Sequence, residues 1–388
     1  MSASQIKSKK MPQKRATPAL VQNIFALIQK NPVLSVALFA AGITACFVPP
    51  DAAYLDYFDL KTLTCLFSTL AVVGALRNIR FFTALARRIV RMAGNLRTAV
   101  FALVSITFLG SMLIANDMAL LTFLPLGYFV LDSTGQRKHM ALTFILQNIA
   151  ANLGGMLTPF GNPQNLYLYS YYHIPTGEFL LTMLPPFLLS IALIYLAVFL
   201  FFGKEPLTVG GEDIALPPAR TAIYLLLFAY SILIVFRTLP YQTALILIPA
   251  ALLFLDRRAL LQVDYALLFT FCAFFIFSGN MSRIEAVRTV FSFLLEKSTL
   301  LFSVLSCQII SNVPSAILLS RFTDNYRALL LGVNIGGTGT LIASLASLIT
   351  FRTYVKENPG QGGTYLRLFT LVNAIFLVLL CAFCFLLV

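Results

Sequence analysis

Ala115-Asn116-Asp117-Met118, followed by NLGGMLTPFGNPQN at 152–165, is polar and glycine-rich sequence set inside long apolar runs. The pattern returns as Ser311-Asn312-Val313-Pro314, followed by NIGGTGTLIASLAS at 334–347. Polar groups are costly in hydrocarbon, and a helix interrupted there leaves backbone atoms unpaired. Such breaks persist where they line a cavity or bury against protein. Two corresponding interruptions in two halves of one chain point to a substrate site shared between repeats.

The rest of the composition agrees with a membrane solvent. Of 388 residues, 59% are hydrophobic and 11% charged, and the mean hydropathy is +0.86. A soluble domain could not hide that much apolar side chain, so the chain is read as an all-α polytopic membrane protein. The formal charge of +13 sits in short clusters between apolar spans. Basic loops facing the cytoplasm account for it better than a nucleic-acid partner. Cys46, Cys65, Cys272, Cys307, Cys381 and Cys384 all lie in apolar stretches without a CxxC or Cys/His spacing, and are read as small buried residues. His139 and His173 stand alone. No Ser/His/Asp, His/Glu metal or GxxxxGKS pattern is present, so neither an enzyme nor a resident cofactor is expected.

Spans and loop charges can be read together. Residues 1–32 form a basic cytoplasmic tail with an interfacial helix at 19–30, and 33–54 a first span and outer loop. Residues 55–203 form a first repeat. It contains a span at 58–76, an amphipathic interfacial helix at 82–92, an apolar block at 99–131, a broken span at 140–172 and a return span at 179–202. Block 99–131 is too long for one straight span of ~20 residues, and Arg97 and Arg137 leave both its ends basic. A re-entrant hairpin turning at Asn116-Asp117 satisfies this; two full spans would also return to the same side, but at ~16 residues each they are short. Residues 204–261 hold the polar loop with Gly210-Gly211-Glu212-Asp213 and two connecting spans, 220–236 and 241–255. Residues 262–388 form a second repeat, with a hairpin at 298–320, a broken span at 328–351 and a last span at 365–388. The count is about nine full spans plus two re-entrant hairpins. Leu55-Asp56-Tyr57 opens an inward span and Val263-Asp264-Tyr265 an outward one. The repeats are therefore inverted, as in alternating-access transporters.

Asp117 is the charged side chain placed deep in an apolar block. An intramembrane carboxylate costs roughly 2.5–3.5 kcal/mol on insertion scales, so it is read as a cation ligand, a proton carrier or a cap of the helix that follows. Asn116 and Asn312 offer both donors and an acceptor at the tips, with turn formation as the plainer alternative. Gly154-Gly155 and Gly336-Gly337 allow unwound backbone, whose helix N-termini suit an anion and whose carbonyls suit a hard cation. Glycine pairs also serve close helix packing. Asn162, Asn165, Thr158, Thr338, Thr340 and Ser344 are further candidate ligands, although Ser and Thr inside helices often bond their own backbone.

On these residues the chain resembles the ion transporter superfamily over roughly 55–388. That group includes divalent anion/sodium symporters, citrate transporters, arsenite efflux permeases and a class of sodium/proton antiporters. Its symporters carry Ser-Asn-Thr at both hairpin tips and a break similar to GGTATLIGTPPN. Ser311-Asn312-Val313 resembles the second tip, and Asn116-Asp117 occupies the first Asn-Thr. The stretches from Gly154 to Asn165 and from Gly336 resemble the two breaks. The resemblance implies a homodimer with scaffold and elevator-type transport domains. It also implies cation sites at each hairpin–break pair, here Asn116, Asp117, Gly154 and Gly155, and Ser311, Asn312, Gly336 and Gly337. The substrate would meet Asn116, Asp117, Asn162, Asn165, Asn312 and Thr338. Asp117 adds a negative charge and Val313 removes a hydroxyl, which disfavours a sodium–dicarboxylate symporter and is similar to the arsenite-permease branch. The expectation is a multi-pass protein of a bacterial inner-membrane type, N-terminus cytoplasmic, in contact with lipid. It would carry a small inorganic or organic anion or oxyanion with Na+ or H+ as coupling ion. A sodium/proton antiporter is the alternative.

Overall fold

The computed structural model describes residues 31–208 and 214–388. The basic tail, the helix expected at 19–30 and the Gly210–Asp213 part of the central loop lie outside the described residues. Within them the chain is α-helical, with an isolated β-bridge between Asn95 and Pro206 in place of any strand. Among the described residues eight helices are long and apolar enough to cross a membrane.

The first hairpin is formed by α4, Leu96–Ile114, and α5, Asn116–Ser133. Asn95 starts α4 with a capping box to Thr98. The turn is Ala115 alone, at φ 57° and ψ 148°. That region is strained for a residue with a Cβ. The arms are 19 and 18 residues, about 28 Å each. The first broken span follows as α6, Met140–Gly154, and α7, Pro163–Tyr171, separated by residues 155–162.

The second half repeats this with shorter pieces. Helix α13, Glu285–Ile310, is interrupted at the non-helical Ser298, so residues 299–310 form the first arm of the expected hairpin. Its turn is Ser311, at φ 74° and ψ 160°, and α14, Asn312–Leu319, is the second arm. The second broken span is α15, Tyr326–Ile335, and α16, Leu345–Glu357. The sequence reading missed the helix at 285–297, whose polar residues hid it.

The contacts at the hairpin bases fix their direction. At the base of the first, the Leu96 N–H donates to Glu205 O at 2.9 Å and Lys138 Nζ donates to Glu205 Oε1 at 3.3 Å. Broken span α6–α7 begins there and ends at Tyr172, whose hydroxyl donates to Ser320 O and Thr323 O at 3.1 and 2.6 Å. Those are residues of the second base. Broken span α15–α16 runs the other way, and Asn358 at its end meets Met140 Sδ at 3.2 Å. The hairpins thus enter from opposite ends and their tips meet midway. Packing follows the same two-fold relation: α7 lies against α14 and α15, and α16 against α5 and α6.

Around this core run α1 (Pro32–Phe47), α2 (Leu60–Asn78), α3 (Phe81–Val90), α8 (Thr176–Phe201), α9 (Pro218–Val235), α10 (Tyr241–Leu255), α11 (Arg257–Leu261), α12 (Tyr265–Arg283) and α17 (Gly362–Phe385). Helix α1 packs along α12, and α2 against α9 and α10. Helices α1 and α10, at 16 and 15 residues, are shorter than a straight span, whereas the first hairpin contributes a helix of spanning length, Leu96–Ile114. Burial of the cysteines holds for Cys65, Cys307 and Cys384; Cys46 is exposed, because it lies on the outward face of α1, a correction to the sequence reading.

Candidate functional site

Both tips use their asparagine in one way. Asn116 Oδ1 accepts the Asp117 N–H at 2.9 Å, and Asn312 Oδ1 accepts the Val313 N–H at 2.9 Å. Each side chain thus accepts from the residue that follows it at its own helix start. Asp117 does not cap: α5 has no side-chain cap bond, and the buried Asp117 Oδ1 has no hydrogen-bond partner among the described residues.

The tips are joined through the breaks. Asn152 Oδ1 accepts from Asn116 Nδ2 at 2.9 Å and from Ser344 Oγ at 2.8 Å. Across the pseudo-two-fold, Asn334 Oδ1 accepts from Asn162 Nδ2 at 3.2 Å. Asn152 and Asn334 each stand two residues before a Gly-Gly, and Asn162 and Ser344 occupy matching places after it. Each repeat therefore sends one donor to the other repeat's asparagine. In a buried setting such pairs are strong only when complete.

A cavity of about 650 Å³ opens at the tips. Its polar lining comprises Asn116, Asp117, Gln164, Thr270, Ser306, Ser311, Asn312 and Ser344, and the remainder is apolar, with Phe274, Phe277 and Phe302 prominent. Among the described residues no Lys or Arg lines it. The first residues of α5, α7, α14 and α16 all do. Four helix N-termini thus direct partial positive charge at one space, although at the α14 start the Asn312 N–H donates to Ala343 O, the Val313 N–H to Asn312 Oδ1, and Pro314 has none. Gln164 is 1% exposed. Asn334 Nδ2 is committed to Asn165 Oδ1 and Leu330 O, so its Oδ1 faces Gln164 Nε2 at 3.5 Å. That leaves the buried Gln164 Oε1 without a partner among the described residues.

The sequence-expected residues separate into layers. Asn116, Asp117, Ser311 and Asn312 reach the cavity. Gly154, Gly155, Gly336 and Gly337 lie behind the tips, where a Cβ would meet Phe108 O at 2.2 Å, Asn162 Oδ1 at 2.4 Å, Gly332 O at 2.6 Å and Asn312 Nδ2 at 3.1 Å respectively. Asn162 bridges the repeats. Asn165 is fully buried and donates to Gly155 O, Met156 O and Thr158 O, which props the first break. The Thr338 hydroxyl donates to Ile335 O at 2.6 Å and is absent from the cavity wall. Asn152, Asn334, Gln164 and Gln308 were not singled out from the sequence. The paired asparagines before each Gly-Gly were the available signal for two of them.

The profile of the citrate transporter family matches residues 24–326. The chain belongs to this family. It is 33% identical over 327 residues to an uncharacterized transporter of Methanocaldococcus jannaschii, covering 84% of this chain and 89% of that protein. It is 30% identical over 326 residues to an inner membrane protein of Escherichia coli, covering 81% and 86%. A silicon efflux transporter of Oryza sativa subsp. japonica is 33% identical over 172 residues, covering 44% of this chain and 35% of that protein. The chain is accordingly a multi-pass membrane transporter of the citrate transporter family, within the ion transporter superfamily.

Proposed function

We propose that this transporter is a secondary active carrier of a small anion or oxyanion, coupled to protons or sodium by alternating access, with Asp117 as the coupling residue. The observation that carries the reading is the meeting, among the described residues, of four helix N-termini with the Asp117 carboxylate, whose buried Oδ1 has no partner, at a cavity that no described Lys or Arg lines. The N-termini attract negative charge. Asp117 repels it until a proton or cation neutralises the carboxylate. Anion and coupling ion would then load together, which is what symport requires. A dicarboxylate or citrate fits less well, since no cationic side chain among the described residues balances its charges. The partly matching silicon efflux transporter is consistent with a small oxyacid. In the same reading the two repeats work as a moving transport unit against a scaffold in a homodimer, without chemistry on the substrate. The Arg97–Lys138 end and the N-terminus face the cytoplasm of an inner-membrane type bilayer.

The test is uptake into proteoliposomes under an imposed pH or sodium gradient. Asp117→Asn is expected to abolish gradient-driven accumulation while leaving exchange of labelled anion. Full gradient-driven uptake by Asp117→Asn removes the coupling role. A sodium/proton antiporter is favoured by one observation, the Asp117–Asp264 pair at a small second cavity. Sodium-dependent proton flux in the absence of any anion selects that alternative.

A further inference from the structure

Asp117 also lines a smaller cavity, of about 30 Å³, the size of a single water or ion. Its polar side chains are Thr69 on α2, Asp117 at the first tip and Asp264 at the start of α12. The remaining wall includes Leu66, Leu70, Met118 and Phe160. Among the described residues no basic side chain lines it; Arg77 Nη1 is 3.8 Å from Met118 Sδ.

The hydrogen bonds of these three side chains decide what they can accept. Thr69 Oγ1 donates its hydrogen to its own helix, at 2.8 Å from Cys65 O and 3.1 Å from Leu66 O. Its lone pairs remain. Asp264 Oδ1 accepts the Leu267 N–H at 2.9 Å as an N-cap, and Oδ2 remains. Asp117 Oδ1 is buried and has no partner among the described residues. All three thus present oxygen without hydrogen, and two carry like charge. An anion would be repelled, and a hydrogen-bond donor or a hard cation would be held. Among the described residues no group of three or more His, Cys, Asp or Glu side chains could cage a metal ion. A monovalent cation balances one of the two carboxylate charges, and a proton shared by the like-charged pair balances the other.

We propose that Asp117, Asp264 and Thr69 form a binding site for one monovalent cation, sodium, held between the first hairpin tip and helices α2 and α12. The proposal rests on the reading of Asp117 as the coupling residue and adds its partners. The ligands come from three elements separate in sequence. The site is complete only while the tip is docked against α2 and α12, so occupancy favours that arrangement over any in which the tip has moved. Binding offsets the mutual repulsion of the carboxylates, and loss of sodium restores it.

The test uses the purified full chain in detergent, unfolded by heating and followed with a cysteine-reactive dye. Sodium chloride replaces choline chloride at constant ionic strength. Sodium is expected to raise the melting temperature of the wild type in a saturable way. Asp264→Asn keeps an N-cap acceptor and is expected to weaken the sodium response roughly tenfold or more, as for loss of one charged ligand. Thr69→Val is expected to weaken it, and Thr69→Ser to restore it. A sodium response in Asp264→Asn equal to wild type overturns the proposal. So does a wild type that ignores sodium while its pH-driven uptake still requires Asp117; in that outcome Asp117 couples protons and the cation site is absent. Conversely, loss of the sodium response in Asp264→Asn together with normal driven uptake by Asp117→Asn keeps the site and removes the coupling role.

Discussion

In the first half of the molecule the broken span is held by a residue that follows it. Asn165, on α7, donates to three carbonyls of the break at 3.1–3.3 Å. In the second half the corresponding work is done by a residue that precedes it. Gln308, on the hairpin arm, donates to Gly336 O and Thr338 O at 2.8 and 3.1 Å, and its Oε1 accepts the Thr340 N–H at 2.9 Å. Aligning the halves pairs Asn165 with Ser347 and Gln308 with Met112, whose side chains do not do this work, although Met112 O accepts the Thr158 hydroxyl at 2.6 Å as Gln308 O accepts that of Thr340 at 3.1 Å. An unwound segment exposes backbone groups that must find partners away from water. The fold meets that requirement twice with unrelated side chains. What the two halves share is the geometry of the break and the threonine tie to the hairpin arm, and the side chain that holds the remaining backbone groups differs. The tips diverge in the same spirit, with Asp117 in one and Val313 in the other.

The sharpest way to break this comparison is to crowd each break. A Cβ on Gly155 would lie 2.4 Å from Asn162 Oδ1 and 2.8 Å from Gly161 O. On the matching Gly337 the closest atoms are Asn312 Nδ2 at 3.1 Å and Asn334 O at 3.2 Å. Gly155→Ala must displace backbone and is expected to cost about 1–3 kcal/mol, near or beyond the upper end. Gly337→Ala needs shifts of a few tenths of an ångström and is expected to cost less than about 1 kcal/mol. Melting of the purified variants, followed by the reactivity of buried Cys65, Cys307 and Cys384, measures both. Equal losses would mean that the breaks are equally tight.

A smaller effect sharpens the comparison. Gln308→Ala removes two donors and one acceptor from the second break, at an expected cost of about 1–2 kcal/mol, since water from the half-buried side can replace part of what is lost. The variant Gln308→Glu keeps the acceptor for Thr340 and loses both donors. It is expected to recover less than half of the loss by the same melting assay. Full recovery would mean that only the Thr340 N–H needs a partner.

The architecture was legible because hydrocarbon imposes a coarse code. Long apolar blocks, basic flanks and two polar interruptions are enough to place hairpins near 99–131 and 298–320, and the structure puts their turns at Ala115 and Ser311. The turns themselves were not legible. Both adopt positive φ without being glycine, so the residue that signals such backbone is missing. The site was legible only at its surface layer. Asn116, Asp117, Ser311 and Asn312 stand out as polar tips, whereas Asn152, Asn334 and Gln308 act through partners many residues away. No spacing rule reports a contact between repeats. Thr338 shows the reverse: an isolated hydroxyl in an apolar run that serves its own helix.

The smallest expected effect compares the two ends of the molecule. At the end where the second hairpin enters, Asp51 accepts from Arg283 Nη2 at 2.7 Å and Nη1 at 3.0 Å. That guanidinium holds the Asp51 carboxyl below its ordinary value of 3.8. At the other end Glu205 is held below its ordinary 4.5, first by the Gln136 side chain and then by Lys138, whose Nζ is 3.3 Å away. A carboxylate with a lowered folded value adds stability that is complete above its unfolded value. The contribution is lost as pH falls through the folded value. Melting temperature should therefore decline on acidification below about pH 4, and the pH profile of Asp51→Asn should be flatter there than that of the wild type. Glu205→Gln should flatten it less, because one ammonium contact organises a carboxylate less well than two bonds from a guanidinium fork. Both carboxylates are partly exposed to water, so added salt should shrink the two differences together. A salt-insensitive difference at Asp51 would point to lost packing around Arg283 and Tyr57, which are joined at 3.1 Å, in place of a charge effect.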